Sequence, residues 1–475
     1  MMRQQSLSKG VVIVLVTNVI SMVFNLLINF LQPKYLPVDS YSVIKTFVLY
    51  LSASGLCHLG YVDGMYIKYG GKNVFEIDKN EIVSNVSSMR ILQIIISALI
   101  LCIGVLWNDM VLILFAILLI PYNMVMYYRL LYQATGEFSL YGKIMNASTA
   151  ALFVGNIVLI FVLNIQTYFW YIAIQILIYF LIWLFLEYRF HKKICASITI
   201  FRCRLQDLYE NVKSGFFVML GNFSSIFLTM MDRWLVKWLL PAVDFAGYSF
   251  ATSIEGFLNV AVTPFTITFY NYFCREKRIE HIRKVHNYML IIASFIISLA
   301  FLAKYVMEIY LPNYLFSTTV MFLLFTSQVF FIIIKSIYVN LYKAERKQTL
   351  YFVKLITVLV VGLIITIVCF LLLRNKEAMA IGTLMCSILW FLLCQNDFKE
   401  IRYDIWHTTY LIVSVVSFLL LGLCAGALSG FFIYVIEMLL LGLVMLKHDY
   451  NELAIYVKSK IGKINGKSCS TNEYL

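Results

Sequence analysis

The chain has 475 residues, 61% of them hydrophobic and only 13% charged, with a formal net charge of +13. A soluble domain covers itself with roughly 25% charged residues, so this composition excludes an ordinary water-soluble globule and calls for a lipid solvent. The positive charge does not signal nucleic acid, because the cations recur in short connections between apolar runs instead of gathering on one face.

A helix needs about 20 apolar residues to cross a bilayer. Such runs fall at 10–31, 43–62, 88–107, 110–130, 144–164, 168–188, 214–239, 247–272, 287–308, 316–340, 350–373, 378–396, 407–427 and 430–446. The fold class is therefore an all-α integral membrane protein of about fourteen transmembrane helices. The first run, Val11–Phe30, is read as a membrane helix and not as a cleaved signal, because no small-residue cleavage site follows it. Trp107-Asn108-Asp109 makes a tight turn between the third and fourth spans. Ten cysteines, including Cys57, Cys102, Cys369, Cys386, Cys394 and Cys424, lie mostly in apolar runs. They read as small hydrophobic fillers, with neither metal-ligand spacing nor a disulfide framework.

Lys and Arg set the orientation. With the N-terminus inside, about thirty of the thirty-eight cations fall in inner segments, and the outer ones keep Lys34, Lys237, Lys304, Arg374 and Lys376. Both termini are then expected in the cytoplasm. The largest inner connection, 189–213, is too short for a soluble domain. The outer loops are too short to carry the catalytic groups of a glycan polymerase or ligase, so no enzyme is expected.

Two matches suggest an internal duplication. Leu131-Tyr132-Gln133-Ala134 with Ser139-Leu140-Tyr141 recurs as Leu341-Tyr342-Lys343-Ala344 with Thr349-Leu350-Tyr351. Ser8-Lys9-Gly10 and Asp39 likewise match Lys213-Ser214-Gly215 and Asp244. The expected organisation is a six-helix bundle over 1–190, a cytoplasmic linker at 191–213 and a second six-helix bundle over 214–400. Two extra helices at 401–447 and a cytoplasmic tail at 448–475 follow. An even-numbered repeat leaves both halves in one orientation, an arrangement used by transporters that bind substrate between halves.

Met231-Asp232-Arg233-Trp234-Leu235-Val236, followed by Asp244-Phe245-Ala246-Gly247-Tyr248-Ser249, resembles a feature of the polysaccharide-transport branch of the multidrug/oligosaccharidyl-lipid/polysaccharide (MOP) exporter superfamily. That branch has a G-x-Y start to its eighth helix, whereas Gly247 and Tyr248 are adjacent here. Leu59-Gly60 with Asp63-Gly64 and Tyr69-Gly70, and Pro312-Asn313-Tyr314, are similar to further motifs of the branch, over about residues 8–400. The resemblance implies a Wzx-like flippase for undecaprenyl-pyrophosphate-linked oligosaccharide repeat units of the O-antigen or capsule type. It implies two six-helix bundles around a cationic cavity in a bacterial inner membrane. The partners it implies are a polyprenyl-pyrophosphate-linked glycan, membrane lipid and other polysaccharide-assembly proteins.

Ionisable groups inside spans are costly and point to function. They are Lys45, His58, Asp232, Arg233, Glu255, Lys335 and Glu437. Arg233, Lys335 and Lys45 suit an anionic pyrophosphate, although Lys45 and Lys237 also fit snorkelling to the outer interface. Asp232 fits a structural partner for a cation. Glu255 is read as neutralising Arg233 in preference to binding a coupling proton or sodium ion. His58 is read as packed, and Glu437 lies outside the repeat. Asn18, Ser21, Asn25 and Asn29 share one face of the first helix, as do Asn222, Ser225 and Thr229 on the seventh. These stripes line a hydrated path for sugar hydroxyls or glue helices together. Pro121 and Pro264 are candidate kinks. No cofactor or metal is expected, and a proton or sodium gradient is the energy source considered. The alternative function is an ion-coupled small-molecule exporter of the multidrug and toxin extrusion (MATE) type.

Overall fold

The computed structural model describes residues 7–72, 77–194, 204–276 and 278–452. Side chains are described for all of these but 7–15, 193, 194, 225, 259–261, 263–265, 267, 268 and 271. Among the described residues every regular element is helical. Lipid offers no partner to a backbone N–H or C=O, so each span must satisfy its own ladder. Eleven described helices are long and apolar enough to cross a membrane, or thirteen if two bent pairs each count as one span. The eighth span expected from sequence, 247–272, is cut at Gly256–Phe257 and is not among these. Leu106 and Leu372 are 81% and 77% exposed, an arrangement that only a lipid surround makes stable.

The first compact unit is Met1–Phe250. It contains α1 (Leu7–Tyr35), α2 (Val38–Ser52), α3 (Tyr61–Tyr69), α4 (Lys79–Leu106) and α5 (Met110–Ala134). It continues through α6 (Phe138–Ile157), α7 (Tyr168–Ile194), α8 (Leu205–Leu228), α9 (Met231–Leu239) and the start of α10 (Ala242–Glu255). Two of its spans are broken. After α2 a 3₁₀ turn covers Ser54–His58, Leu59 and Gly60 adopt φ of 50° and 81°, and α3 departs at 60°. Gly60 supplies that left-handed step without a Cβ penalty. In the seventh span α8 turns by 60° into α9 at Thr229–Met230. Pro121 by contrast sits inside an unbroken α5.

Helices α3 and α8 meet backbone to backbone. A Cβ at Gly60 would stand 2.6 Å from the carbonyl carbon of Gly215, and one at Gly64 would stand 2.7 Å from the carbonyl carbon of Asn211. Small residues permit this approach, and polar side chains beside it tie the helices. Tyr61 Oη donates to Asn85 Oδ1 at 3.0 Å, and Asn85 Nδ2 donates to Tyr69 Oη at 2.6 Å. Asn211 of α8 donates to the same Asn85 oxygen, and Ser84 Oγ donates to Asp207 Oδ2 at 2.7 Å. The helix that opens the second copy of the repeat thus packs within the first unit.

The second unit is Ala251–Leu475. Beyond the end of α10 it holds α11 (Leu258–Arg275), α12 (Ile279–Ile297), α13 (Leu299–Tyr310), α14 (Thr318–Ile333) and α15 (Val339–Ala344). It ends with α16 (Gln348–Leu373), α17 (Lys376–Asp397), α18 (Ile405–Cys424) and α19 (Ala427–Met445). Buried almost throughout, α14 forms the centre, and a π-helical turn over Ile334–Tyr338 joins it to α15. Helix α11 runs through Pro264 as one α-helix.

The sequence repeat has a matching backbone. Gly136 and Arg346 take φ of 77° and 57° at equivalent positions. Glu137 N donates to Tyr132 O at 2.8 Å, and Lys347 N donates to Tyr342 O at 2.8 Å. Both are helix ends closed by a left-handed residue and a 6→1 hydrogen bond.

Candidate functional site

In the first unit the break between α8 and α9 lets α9 bring Arg233 towards α2. Lys45 on α2 is 8% exposed, and its Nζ donates to Asn29 Oδ1 on α1 at 2.7 Å. The same ammonium lies 5.2 Å from the centre of the Tyr41 ring. Helix α9, which carries Arg233, packs against α2, where Tyr50 stacks on Trp234. Arg233 is half-buried, and its Nε is a buried donor without a hydrogen-bond acceptor. Two cations on packed helices in a low-dielectric setting are unfavourable alone. An anion between them removes that cost, and a guanidinium with an open N–H is shaped to receive phosphate oxygens.

Asp232, beside Arg233 in the chain, is held by hydrogen bonds from a phenol and a backbone amide. Its Oδ2 accepts from Tyr248 Oη at 2.5 Å, and its Oδ1 accepts from the Arg233 backbone N at 2.8 Å. Buried at 5% exposure, it pins α9 to α10 and so fixes where Arg233 stands. Asn222 on α8 donates to Asp63 Oδ1 on α3 at 3.3 Å, and Asp63 lies 4.0 Å from His58 Nδ1. The polar stripe of α1 divides. Asn18 and Asn25 are exposed, Ser21 is buried and accepts from Thr149 Oγ1 at 3.3 Å, and Asn29 holds Lys45. The side chain of Ser225 lies outside the described residues.

In the second unit Glu255, at the end of α10, accepts a hydrogen bond from Gln328 on α14. It also lies in the attractive field of Lys335. Lys335 sits in the π-helical turn, where a widened backbone presents its side chain 5.4 Å from the Phe331 ring centre. Such turns often mark functional positions in helices. Glu437 accepts from Ser417 Oγ at 2.5 Å, joining α19 to α18.

Lys45 and Asn29, separate candidates in the sequence reading, are joined by a hydrogen bond, and Arg233 stands on a helix packed against the same α2. Asn222 and Asp232 are engaged by acid and phenol partners, Asp63 and Tyr248, which the reading did not nominate. Tyr248 and Asp63 stood within quoted motifs, and Gln328 was a polar residue inside an apolar run. All three were visible as composition, while none was visible as a contact.

Broken helical spans that carry buried cations, an acid and amides make these positions functional candidates in an all-helical membrane fold. Among solved structures, the chain is similar to those of the MOP superfamily. It matches "Lipid II flippase MurJ, inward closed conformation" with a TM-score of 0.65 and 14% identity, over 92% of this chain and 99% of that one. It also matches an inward-facing multidrug resistance MATE family transporter of the MOP superfamily, with a TM-score of 0.54 and 15% identity, over 80% of this chain and 95% of that one. No family model and no curated protein matches the sequence.

Proposed function

We propose that the protein is a flippase that moves undecaprenyl-pyrophosphate-linked oligosaccharide repeat units across a bacterial inner membrane by alternating access, without covalent chemistry. Its termini lie in the cytoplasm, and the cations of Lys45 and Arg233, steadied by Asn29, receive the pyrophosphate. The observation that carries this reading is the buried Lys45 ammonium on helix α2, held by Asn29, with α9 and the open Nε of Arg233 packed against that helix. The likeness to a lipid II flippase over 92% of the chain supports it at the level of the fold. Lys335 and Glu255, in the second unit, are the candidates for energy coupling.

The test is binding of undecaprenyl pyrophosphate to protein in nanodiscs, followed by native mass spectrometry. Arg233→Gln and Lys45→Met each weaken binding by about tenfold or more, as loss of a charge-assisted contact worth ~1.5–3 kcal/mol requires. Unchanged binding by both variants would remove the cationic site.

A second reading is a small-molecule exporter, favoured by the likeness to the MATE transporter and by the acid Glu255. It predicts that Glu255→Gln abolishes efflux of a cationic dye and that deletion leaves surface polysaccharide intact.

A further inference from the structure

We infer that α9 also carries a carbohydrate platform, built from the rings of Trp238, Trp234 and Tyr50, for the first pyranose attached to the pyrophosphate. This rests on the reading of the protein as a flippase for lipid-linked glycans. Trp234 and Trp238 are i and i+4 on α9, so they share one face. Their ring centres are 5.3 Å apart, and Trp234 in turn stacks on Tyr50 of α2, with centres 5.7 Å apart and planes within 19°. The outermost ring, Trp238, is 67% exposed. The three rings thus form a bent ladder, with Trp238 tilted 46° from Trp234 at its open end and the stacked pair Trp234–Tyr50 as its base.

A membrane-interface anchor needs only one amphipathic ring. This ladder has in addition a polar rim suited to hydroxyls. Tyr50 Oη donates to Asp109 Oδ2 at 3.3 Å. The other oxygen of Asp109 caps α5 by accepting from Val111 N at 2.9 Å and Leu112 N at 3.1 Å. That fixes the carboxylate and leaves acceptor capacity at Oδ2. Lys237 lies in the field of Asp109 and supplies donors. The face of an aromatic ring is electron-rich. One face of a hexopyranose presents C–H bonds polarised the other way, ringed by hydroxyls that both give and accept hydrogen bonds. Rings for the C–H face, with a carboxylate and an ammonium at the edge, match that ligand in both respects. Arg233 and Lys237 form a second i, i+4 row beside the tryptophans. The helix therefore carries a cationic row beside the aromatic one, which suits a ligand whose sugar adjoins a pyrophosphate.

The test compares two ligands on the full-length protein in nanodiscs. One is undecaprenyl pyrophosphate, and the other is the same lipid bearing a single galactose or N-acetylglucosamine. The platform predicts that a sugar-bearing lipid binds about fivefold tighter, the size expected of one ring-stacking contact. Trp238→Ala brings that ratio close to one, whereas Tyr50→Phe, which keeps the ring, retains most of it. A wild-type ratio near one for both sugars, or a ratio that survives Trp238→Ala, overturns the platform and leaves the flippase reading standing. Failure to bind either lipid overturns both.

Discussion

Gly215 of α8 occupies a place that no side chain fits. A Cβ there would lie 3.0 Å from the carbonyl carbon of Gly60, and closer still to the Gly60 oxygen and the Gly64 nitrogen. Carbon contacts are comfortable at about 3.5–4.0 Å. Gly215→Ala must therefore part α3 from α8 by roughly 1 Å. Overpacking of this kind costs about 1–3 kcal/mol. Replacing glycine within a helix returns about 0.5–1 kcal/mol, and because the clash is with backbone the upper part of the overpacking range applies, so strain wins with a net loss of up to about 2.5 kcal/mol. Gly221 supplies the control on the same helix, because nothing lies within 4 Å of the Cβ it would carry. Gly221→Ala keeps only the helix gain. Thermal unfolding in detergent, followed by tryptophan fluorescence, is predicted to show Gly215→Ala melting below wild type and Gly221→Ala level with it or above. The two alanine variants melting together would refute the claim that glycine is required for backbone contact between α3 and α8.

Tyr248→Phe removes the hydroxyl that holds buried Asp232 and should cost about 1.5–3 kcal/mol of stability, read as a lower melting temperature. It should also weaken pyrophosphate binding by letting Arg233 drift. Arg346→Gly relieves a left-handed backbone that glycine adopts freely and should stabilise by ~1 kcal/mol in the same melting assay. Asp449, beyond the last span, is pushed up by partial burial. Hydrogen bonds from His407 (3.0 Å) and Asn287 (3.3 Å) pull it down further, leaving its carboxyl below the usual range. Such a carboxylate contributes stability that is complete above its unfolded value of about 3.9 and is lost as pH falls through its lower folded value. The melting temperature should thus be unaffected by this group from pH 7 to about 4 and fall below that. Asp449→Asn should lower it at neutral pH and remove the acid-side decline assigned to this group.

The spans were legible because each crossing demands a long apolar run, and lipid tolerates no ambiguity about that length. Their interruptions were less so. Pro121 and Pro264 were candidate kinks and both lie inside continuous helices, while the breaks between helices fall at Leu59–Gly60 and Thr229–Met230, which the sequence did not advertise. A proline in the sequence signals only a missing donor, whereas a bend depends on what the freed carbonyl and its neighbours pack against. The Leu-Tyr-x-Ala match suggested a repeat, and at that one place the backbones agree, with equivalent turns at Gly136 and Arg346. At the site, residue types were readable and pairings were not. Sequence reading leaned towards Arg233 as the partner of Glu255, and did not single out Gln328, which donates a hydrogen bond to it. Lys45 was weighed as a snorkelling side chain, and its bond to Asn29 turns it inward instead. Partner choice rests on helix rotation and tilt, and spacing along one chain does not encode these.

The most direct measurement is transport itself. Protein reconstituted in liposomes with a fluorescent undecaprenyl-pyrophosphate-linked oligosaccharide, scored by its accessibility to an external lectin, should move label between leaflets faster than empty vesicles do. Arg233→Gln should bring the rate down to that background. Label that crosses no faster with the protein than without it, in vesicles where the same preparation is folded and exports a cationic dye, would contradict the account.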